Sequence, residues 1–143
     1  MSIWRQAVQI GAGLATPPGT IGAQLGLQIT EVGPDFLRGT LPVDHRTQQA
    51  FGRLHGGASC VLAEELGGIA GNLCLAQPDT VCVGLEINAN HLRGVSQGLV
   101  TGTARPLHVG RNTQVWEIRI EDEHNKLVCV SRLTLAVVPK VGA

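Results

Sequence analysis

The sequence predicts an α+β domain in which a curved antiparallel sheet of about six strands wraps one long helix. The apolar segment from His55 to Ala76 has the length of a single buried helix, roughly 30 Å at about 1.5 Å per residue. Val81, Val83, Leu85, Ile87 and Ala89 alternate with Cys82, Gly84, Glu86, Asn88 and Asn90, a period of two that assigns one face to a core, and every later segment also reads as strand. Two strand-like runs joined by a turn precede the helix. With 143 residues the chain makes one domain, 1–143, long enough to bury a core without metal or disulfide staples.

At the N-terminus, Ile3, Ala7, Ile10 and Leu14 recur at helical spacing. They predict a short amphipathic helix over 3–14, within a helix-and-linker region 1–19 that Thr16-Pro17-Pro18-Gly19 closes. Leu25, Leu27 and Ile29 alternate with Gly26, Gln28 and Thr30, and Val32-Gly33-Pro34-Asp35 turns the chain into a second strand from Phe36 to Val43. The polar stretch from Asp44 to Leu54 reads as a loop. The central helix then spans 55–76, and Gln77-Pro78-Asp79 stops it. After the strand at 81–90, three more follow at 98–108, 113–121 and 127–138, for which antiparallel meander connections are the economical reading.

Eleven basic and eleven acidic residues give a formal charge of zero and form no basic stripe, so small molecules or proteins are expected as partners, with no nucleic acid and no membrane. Cys60, Cys74, Cys82 and Cys129 make no Cys-x-x-Cys pair, and three of them sit in apolar segments as free thiols do, which fits a reducing, cytoplasmic compartment. The first residues lack a basic leader followed by a continuous apolar region, so no signal peptide is expected. Residues 58–76 approach membrane-spanning length, but Glu64, Glu65, several glycines and Asn72 point to a buried helix of a soluble protein. His45, His108 and His124 share no metal-ligand spacing, and no metal is expected.

At about 100° per residue, Ala58, Leu62, Leu66, Ile69 and Leu73 share the helix face that packs on the sheet. Glu64 lies almost opposite, on a side lined by Gly57, Cys60, Gly68 and Gly71. Each helical glycine costs roughly 0.5–1 kcal/mol relative to alanine, so the stripe implies close approach by another helix, a backbone or a ligand. Glu64 is there either a catalytic carboxylate or a paired structural one, and Glu65, rotated away, is structural or solvated. His55-Gly56-Gly57 opens the helix with backbone N–H groups at the positive end of its dipole, which suit a developing oxyanion. A glycine-rich entry turn capped by His55 is the simpler alternative. No Lys-Ser/Thr pair completes a phosphate loop.

Four ordered motifs carry a resemblance: Pro42-Val43-Asp44-His45-Arg46-Thr47-Gln48-Gln49, Phe51-Gly52-Arg53-Leu54-His55-Gly56-Gly57-Ala58-Ser59 through Glu64, Val83-Gly84-Leu85-Glu86-Ile87-Asn88-Ala89-Asn90-His91, and Gln114-Val115-Trp116. Together they resemble the hotdog-fold acyl-CoA thioesterases, in the PaaI-like branch that contains 4-hydroxybenzoyl-CoA thioesterase and 1,4-dihydroxy-2-naphthoyl-CoA hydrolase. The resemblance implies a hotdog fold, dimers that pair into homotetramers, and active sites at the dimer interface. It implies Glu64 as nucleophile or general base, the Gly56 N–H polarising the thioester carbonyl, and Gln49 and His55 orienting substrate or water. Glu64 would meet Gln49, His55 and Gly56 from the neighbouring subunit. About two helical turns separate Glu64 from the helix start, which suits two half-sites that meet between subunits.

At the coenzyme end the resemblance implies Val83 and Gly84 flanking pantetheine, with His91, Arg93 and Arg111 near the nucleotide phosphates. Gly68 departs from the pattern, because family members commonly carry Ser or Thr one turn after the glutamate. The change would widen the acyl pocket, slow hydrolysis or pass the water-holding task to another residue. The expected activity is hydrolysis of an aromatic or otherwise bulky acyl-CoA to free acid and CoA. CoA is then part of the substrate and no cofactor is needed. The alternatives are a thioesterase for acyl groups on an acyl-carrier protein and a noncatalytic acyl-CoA-binding hotdog protein.

Overall fold

The computed structural model describes residues 1–142. Its elements run α1 (Ile21–Leu25), β1 (Gln28–Val32), β2 (Leu37–Pro42), α2 (Gly56–Leu73), β3 (Thr80–His91), β4 (Leu99–Val109), β5 (Thr113–Glu121) and β6 (Leu127–Pro139). The six strands form one antiparallel sheet in the order β1-β2-β4-β5-β6-β3. It wraps α2, which touches every strand from β2 to β6. This is the hotdog arrangement of two strands, a long helix and four more strands.

The helix can sit deep because the sheet has no side chains beneath it at one place. Gly39 of β2 and Gly102 of β4 are cross-strand partners. A Cβ at Gly102 would lie 2.7 Å from Leu66 Cδ1 and 3.1 Å from Leu62 Cδ2, and one at Gly39 would lie 3.0 Å from Leu66 Cδ2. The two glycines form a saddle that Leu62 and Leu66, both fully buried, fill. Ile118, Ile120, Leu133 and Leu135 continue the core along the alternating inner positions of β5 and β6. Gly67 and Gly71 seat the helix on β6 in the same way: added Cβ atoms would lie 2.6 Å from Leu133 Cδ2 and 2.5 Å from Leu135 Cδ1.

Four expectations need correction. The alternating residues of β3 do not share one core face: Cys82 is buried while Val83 and Leu85 are exposed, and only past the register shift between Gly84 and Glu86 do Ile87 and Ala89 pack against the core. Residues 3–14 form no helix. The segment is an irregular strap whose backbone bonds to the domain: the Arg5 and Gln6 amides donate to Leu73 O at 2.8 and 3.0 Å, Gly11 N to Val32 O at 2.7 Å, and Leu14 N to Ile29 O at 3.1 Å. Trp4 anchors it, donating from Nε1 to Gly33 O at 2.7 Å and stacking on Trp116 with ring centroids 6.4 Å apart. The left-handed φ of +87° at Gly11 and the approach of Gly13 to the β1 backbone oppose a helix there. Ile10 stays exposed, so the helical spacing was not an apolar face.

The last four strands are also not a simple meander, because β3 pairs with β6 at the sheet edge and only β4, β5 and β6 run consecutively. Helix α2 delivers the chain to that edge, and residues 92–98 return it past the helix start, tied by Leu54 N to Val95 O at 2.7 Å and Val43 N to Gly98 O at 2.8 Å. Gly71, expected on the open side of the helix, faces the sheet, whose curvature carries Leu135, Gln114 and Cys82 over it. Ala58, Leu62 and Leu66 are buried as expected, while Ile69 and Leu73 are half-buried against the core.

If the saddle seats the helix, Leu66→Ala should cost about 2–5 kcal/mol of stability through the cavity it leaves. Gly102→Ala should cost about 1–3 kcal/mol by overpacking the same place. Urea denaturation reads both, and a Gly102→Ala protein as stable as the parent would show that Leu62 and Leu66 need no such space.

Candidate active site

Loop 44–54 sets the entry to α2. Arg46 donates to Asp44 through its backbone N–H at 2.9 Å and through Nη2 at 2.7 Å, and Thr47 Oγ1 donates to Pro42 O at 2.6 Å. Thr47 O then accepts the His55 N–H at 2.8 Å. His55 is the helix N-cap, with Nδ1 accepting the Gly57 N–H at 2.8 Å. In its neutral form the ring therefore carries its proton on Nε2. The cap divides the two glycine amides: Gly57 is satisfied by His55, whereas the Gly56 N–H has no acceptor among the described residues.

The expected site residues fall into separate places within one chain. Gly56 and Gln49 share a cleft of about 370 Å³ with Arg53, Ser59, His91 and Arg93. Gln49 Oε1 accepts the Phe51 N–H, which leaves its Nε2 hydrogens free to donate. His91 lies against the helix start, its Nε2 2.8 Å from where a Cβ at Gly56 would be. His55 faces the other side of the helix, into a smaller cleft with Gly57, Val61 and Arg46.

Glu64 is two turns on, exposed, and lines a cleft of about 580 Å³ with Gly68, Ile69, Asn72 and Gln6. Its carboxylate lies over the β3 backbone, where a Cβ at Gly84 would stand 2.9 Å from Oε1. Nothing lies within 4 Å of a Cβ built at Gly68, so that side of Glu64 is open. Val83 is on the same strand and 43% exposed. Arg93 and Arg111 are not together: Arg111 lines a cleft with Arg5 beside Cys74 and Leu75, just past the far end of α2.

Glu65 packs against Gly22 of α1, its Cδ 3.3 Å from a Cβ placed there. Burial pushes the Cys74, Cys82 and Cys129 thiols up to about 11, and Cys60, one turn before Glu64, is raised by burial and by that carboxylate. All four stay free thiols. Among the described residues no three His, Cys, Asp or Glu side chains are placed to hold a metal ion, and no helix is long and apolar enough to cross a membrane.

Sequence reasoning missed Ser59, Gln6 and the positional role of Asn72. Asn72 donates to Gly68 O at 2.8 Å and accepts the Cys82 N–H at 3.0 Å, tying α2 to β3 beside Glu64. A lone amide in an apolar helix was its only signal. Gln6 comes from the strap, where no local pattern points to a cleft.

The sequence profile of the thioesterase superfamily matches residues 51–129. The chain is 48% identical to 1,4-dihydroxy-2-naphthoyl-CoA hydrolase of Escherichia coli, over 94% of this chain and 98% of that one. It is 50% identical to the proofreading thioesterase EntH of Cronobacter turicensis, with the same coverage. A solved thioesterase from Haemophilus influenzae superposes with a TM-score of 0.88 at 45% identity, covering 98% of this chain and 97% of the other.

The Arg46 hydrogen bonds hold the Asp44 carboxyl at about 2, below its ordinary 3.8. Because the folded-state value is depressed, the pair's contribution is complete above the ordinary value and is lost as pH falls through about 2. The stability difference between the parent and Asp44→Asn should therefore be constant above about pH 4 and shrink toward pH 2. A difference that does not change over that range would show that the pair does not hold the loop.

Proposed function

The chain belongs to the thioesterase superfamily and is a thioester hydrolase, and on that premise we propose that it cleaves an aromatic or otherwise bulky acyl-CoA at a site shared by two subunits. The observation that carries this reading is the position of the two half-sites along β3. Gly84, beneath Glu64, lies in the first half of that strand, and His91, beside Gly56, ends it. The opposite edge of the sheet, β1, is covered by the strap, but β3 is open along its outer side. It is twelve residues long with a single charged residue besides His91, and Leu85 is 62% exposed. A long, apolar, unpaired edge calls for a strand partner.

Antiparallel pairing of β3 with the same strand of a second copy, centred near Ile87–Asn88, sets Gly84 of one chain opposite His91 of the other. The same two-fold operation brings the Glu64 carboxylate of one copy toward the Gly56 N–H and Gln49 amide of the other, twice per dimer. The Gly56 N–H polarises the thioester carbonyl at the positive end of α2. Glu64 then attacks that carbon to give a mixed anhydride and release the thiolate, or it takes a proton from the attacking water. His55 holds the amide in place through its cap. Arg93 and Arg111, at opposite ends of α2, supply planar donors for the phosphates of the coenzyme. The cleft beside Gly68 takes the acyl group, with the absent side chain leaving room for a ring.

A second reading, hydrolysis of acyl groups on a carrier protein, is favoured by one finding: a relative named as a CoA hydrolase and one named as a proofreading thioesterase are equally similar to the chain. Thiol release from benzoyl-, hydroxybenzoyl-, phenylacetyl-, naphthoyl- and aliphatic CoA, set against the same acyl groups on a carrier protein, separates the two.

Glu64→Gln should lower turnover at least about a hundredfold while sedimentation still finds the parent oligomer. Full activity in that variant would remove Glu64 from the chemistry. Gly56→Pro deletes the free N–H at a helix position that accepts proline. Mixed and reassembled with Glu64→Ala chains, it should restore about a quarter of parental activity, since half of the random dimers carry one intact site. No recovery from two inactive but reassembling variants would place the site within a single chain.

A further inference from the structure

The cleft at the start of α2 contains a polar group that the proposed chemistry has not used. Ser59 is 2% exposed, lies one turn after Gly56 and lines the same cleft as Gly56, Gln49 and His91. Its hydroxyl makes no hydrogen bond among the described residues, although no fully enclosed side-chain oxygen or nitrogen there lacks a partner. The Ser59 hydroxyl therefore keeps part of the residue's small exposed surface.

A helical serine ordinarily turns its hydroxyl back onto the carbonyl four residues earlier. Here His55 O instead accepts the Ala58 and Ser59 amides at 2.9 and 3.3 Å, and the side chain is free. A helical side chain leans toward the N-terminal side of its own Cα, so the Ser59 side chain tilts back toward the helix start, in the cleft that Gly56 also lines. Beside the Gln49 amide, the cleft thus offers a backbone N–H and a hydroxyl, neither with a partner among the described residues, at the positive end of an 18-residue helix. Neither His91 nor any other base is hydrogen-bonded to Ser59 among the described residues, which makes the hydroxyl a donor and not an activated nucleophile.

We propose that Ser59 is a second donor to the thioester oxygen, its Oγ–H joining the Gly56 N–H as negative charge develops there. The inference rests on the thioesterase site described above. It also gives this chain a hydroxyl at the reacting carbonyl, on the opposite half-site from the open position at Gly68. A donor that strengthens only as charge develops acts on turnover more than on substrate binding.

The test compares the parent, Ser59→Ala and Ser59→Cys in thiol-release assays on whichever thioester the parent hydrolyses fastest, with thermal unfolding and sedimentation of each. Ser59→Ala should lower kcat about a hundredfold with KM changed less than about threefold, and Ser59→Cys, nearly the same size but a weak donor, should fall with it. Ser59→Thr, which restores a hydroxyl, should recover part of the loss. Loss of activity only in variants that also lose their melting temperature or oligomer would assign Ser59 a packing role and overturn the proposal. So would a folded Ser59→Ala or Ser59→Cys protein with parental kcat, or one altered in KM alone. A parent inactive on every thioester would instead overturn the underlying functional reading, so the two failures are distinguishable.

Discussion

The fit of Leu62 and Leu66 into the paired glycines of β2 and β4 fixes the depth and rotation of α2, and the other features follow from that placement. A sheet with side chains at those two positions would hold the helix farther away. Lowered into the saddle, α2 buries Ala63 and Ala70, sets Gly67 against Leu133 of β6 and leaves Glu64 exposed over the edge strand β3. The carboxylate reaches the β3 backbone because Gly84 offers no side chain. Small residues therefore act twice, drawing the helix into the sheet and letting an acidic group rest on the strand at its edge.

The same placement explains why one chain contains two incomplete constellations. A carboxylate and a free helix-start amide about 12 Å apart along one helix cannot grip a single carbonyl. Both lie beside β3, and that strand alone is left without a neighbour on its outer side. The proposed function joins chemistry and assembly: a strand contact that satisfied the backbone of the edge would also complete the site. A cap on Gly57 and none on Gly56 adds selectivity within the half-site, since only one of two adjacent amides remains to meet a ligand.

Much of this was legible in the sequence because it depends on local periodicity. The alternation at 81–90 marked β3 as a strand but not its faces, since Cys82 is buried while Val83 and Leu85 are exposed, and the apolar run interrupted by Glu64 marked the helix and its odd carboxylate. What was not legible depends on tertiary geometry. Ile3, Ala7, Ile10 and Leu14 have helical spacing, yet Trp4 and the glycines at 11 and 13 make the segment a strap whose hydrogen bonds lie on β1 and α2. The strand order depended on where α2 delivers the chain, which no strand's own pattern records. Gly68 and Gly71 share one side of the helical wheel, but the curved sheet covers the second and not the first. In the run Gly57-Ala58-Ser59-Cys60 the serine reads as ordinary helix filling, and only its place in the cleft lining with an unpaired hydroxyl sets it apart.

The strap also bears on the order in which a newly made chain becomes complete. Trp4 precedes every strand of the sheet in the chain, but its stacking partner Trp116 lies in β5, and the strap's other anchors lie at the β1–β2 turn and the end of α2. Contacts between such distant parts of a chain form late, after the intervening structure exists. Until then β1 is open at one margin of the sheet while β3 is open at the other. The nascent domain thus passes through an interval with two unpaired edges, when the pairing tendency that serves assembly can also capture the wrong chain. Docking of the N-terminus ends that interval at one margin and leaves a single direction in which the sheet can grow.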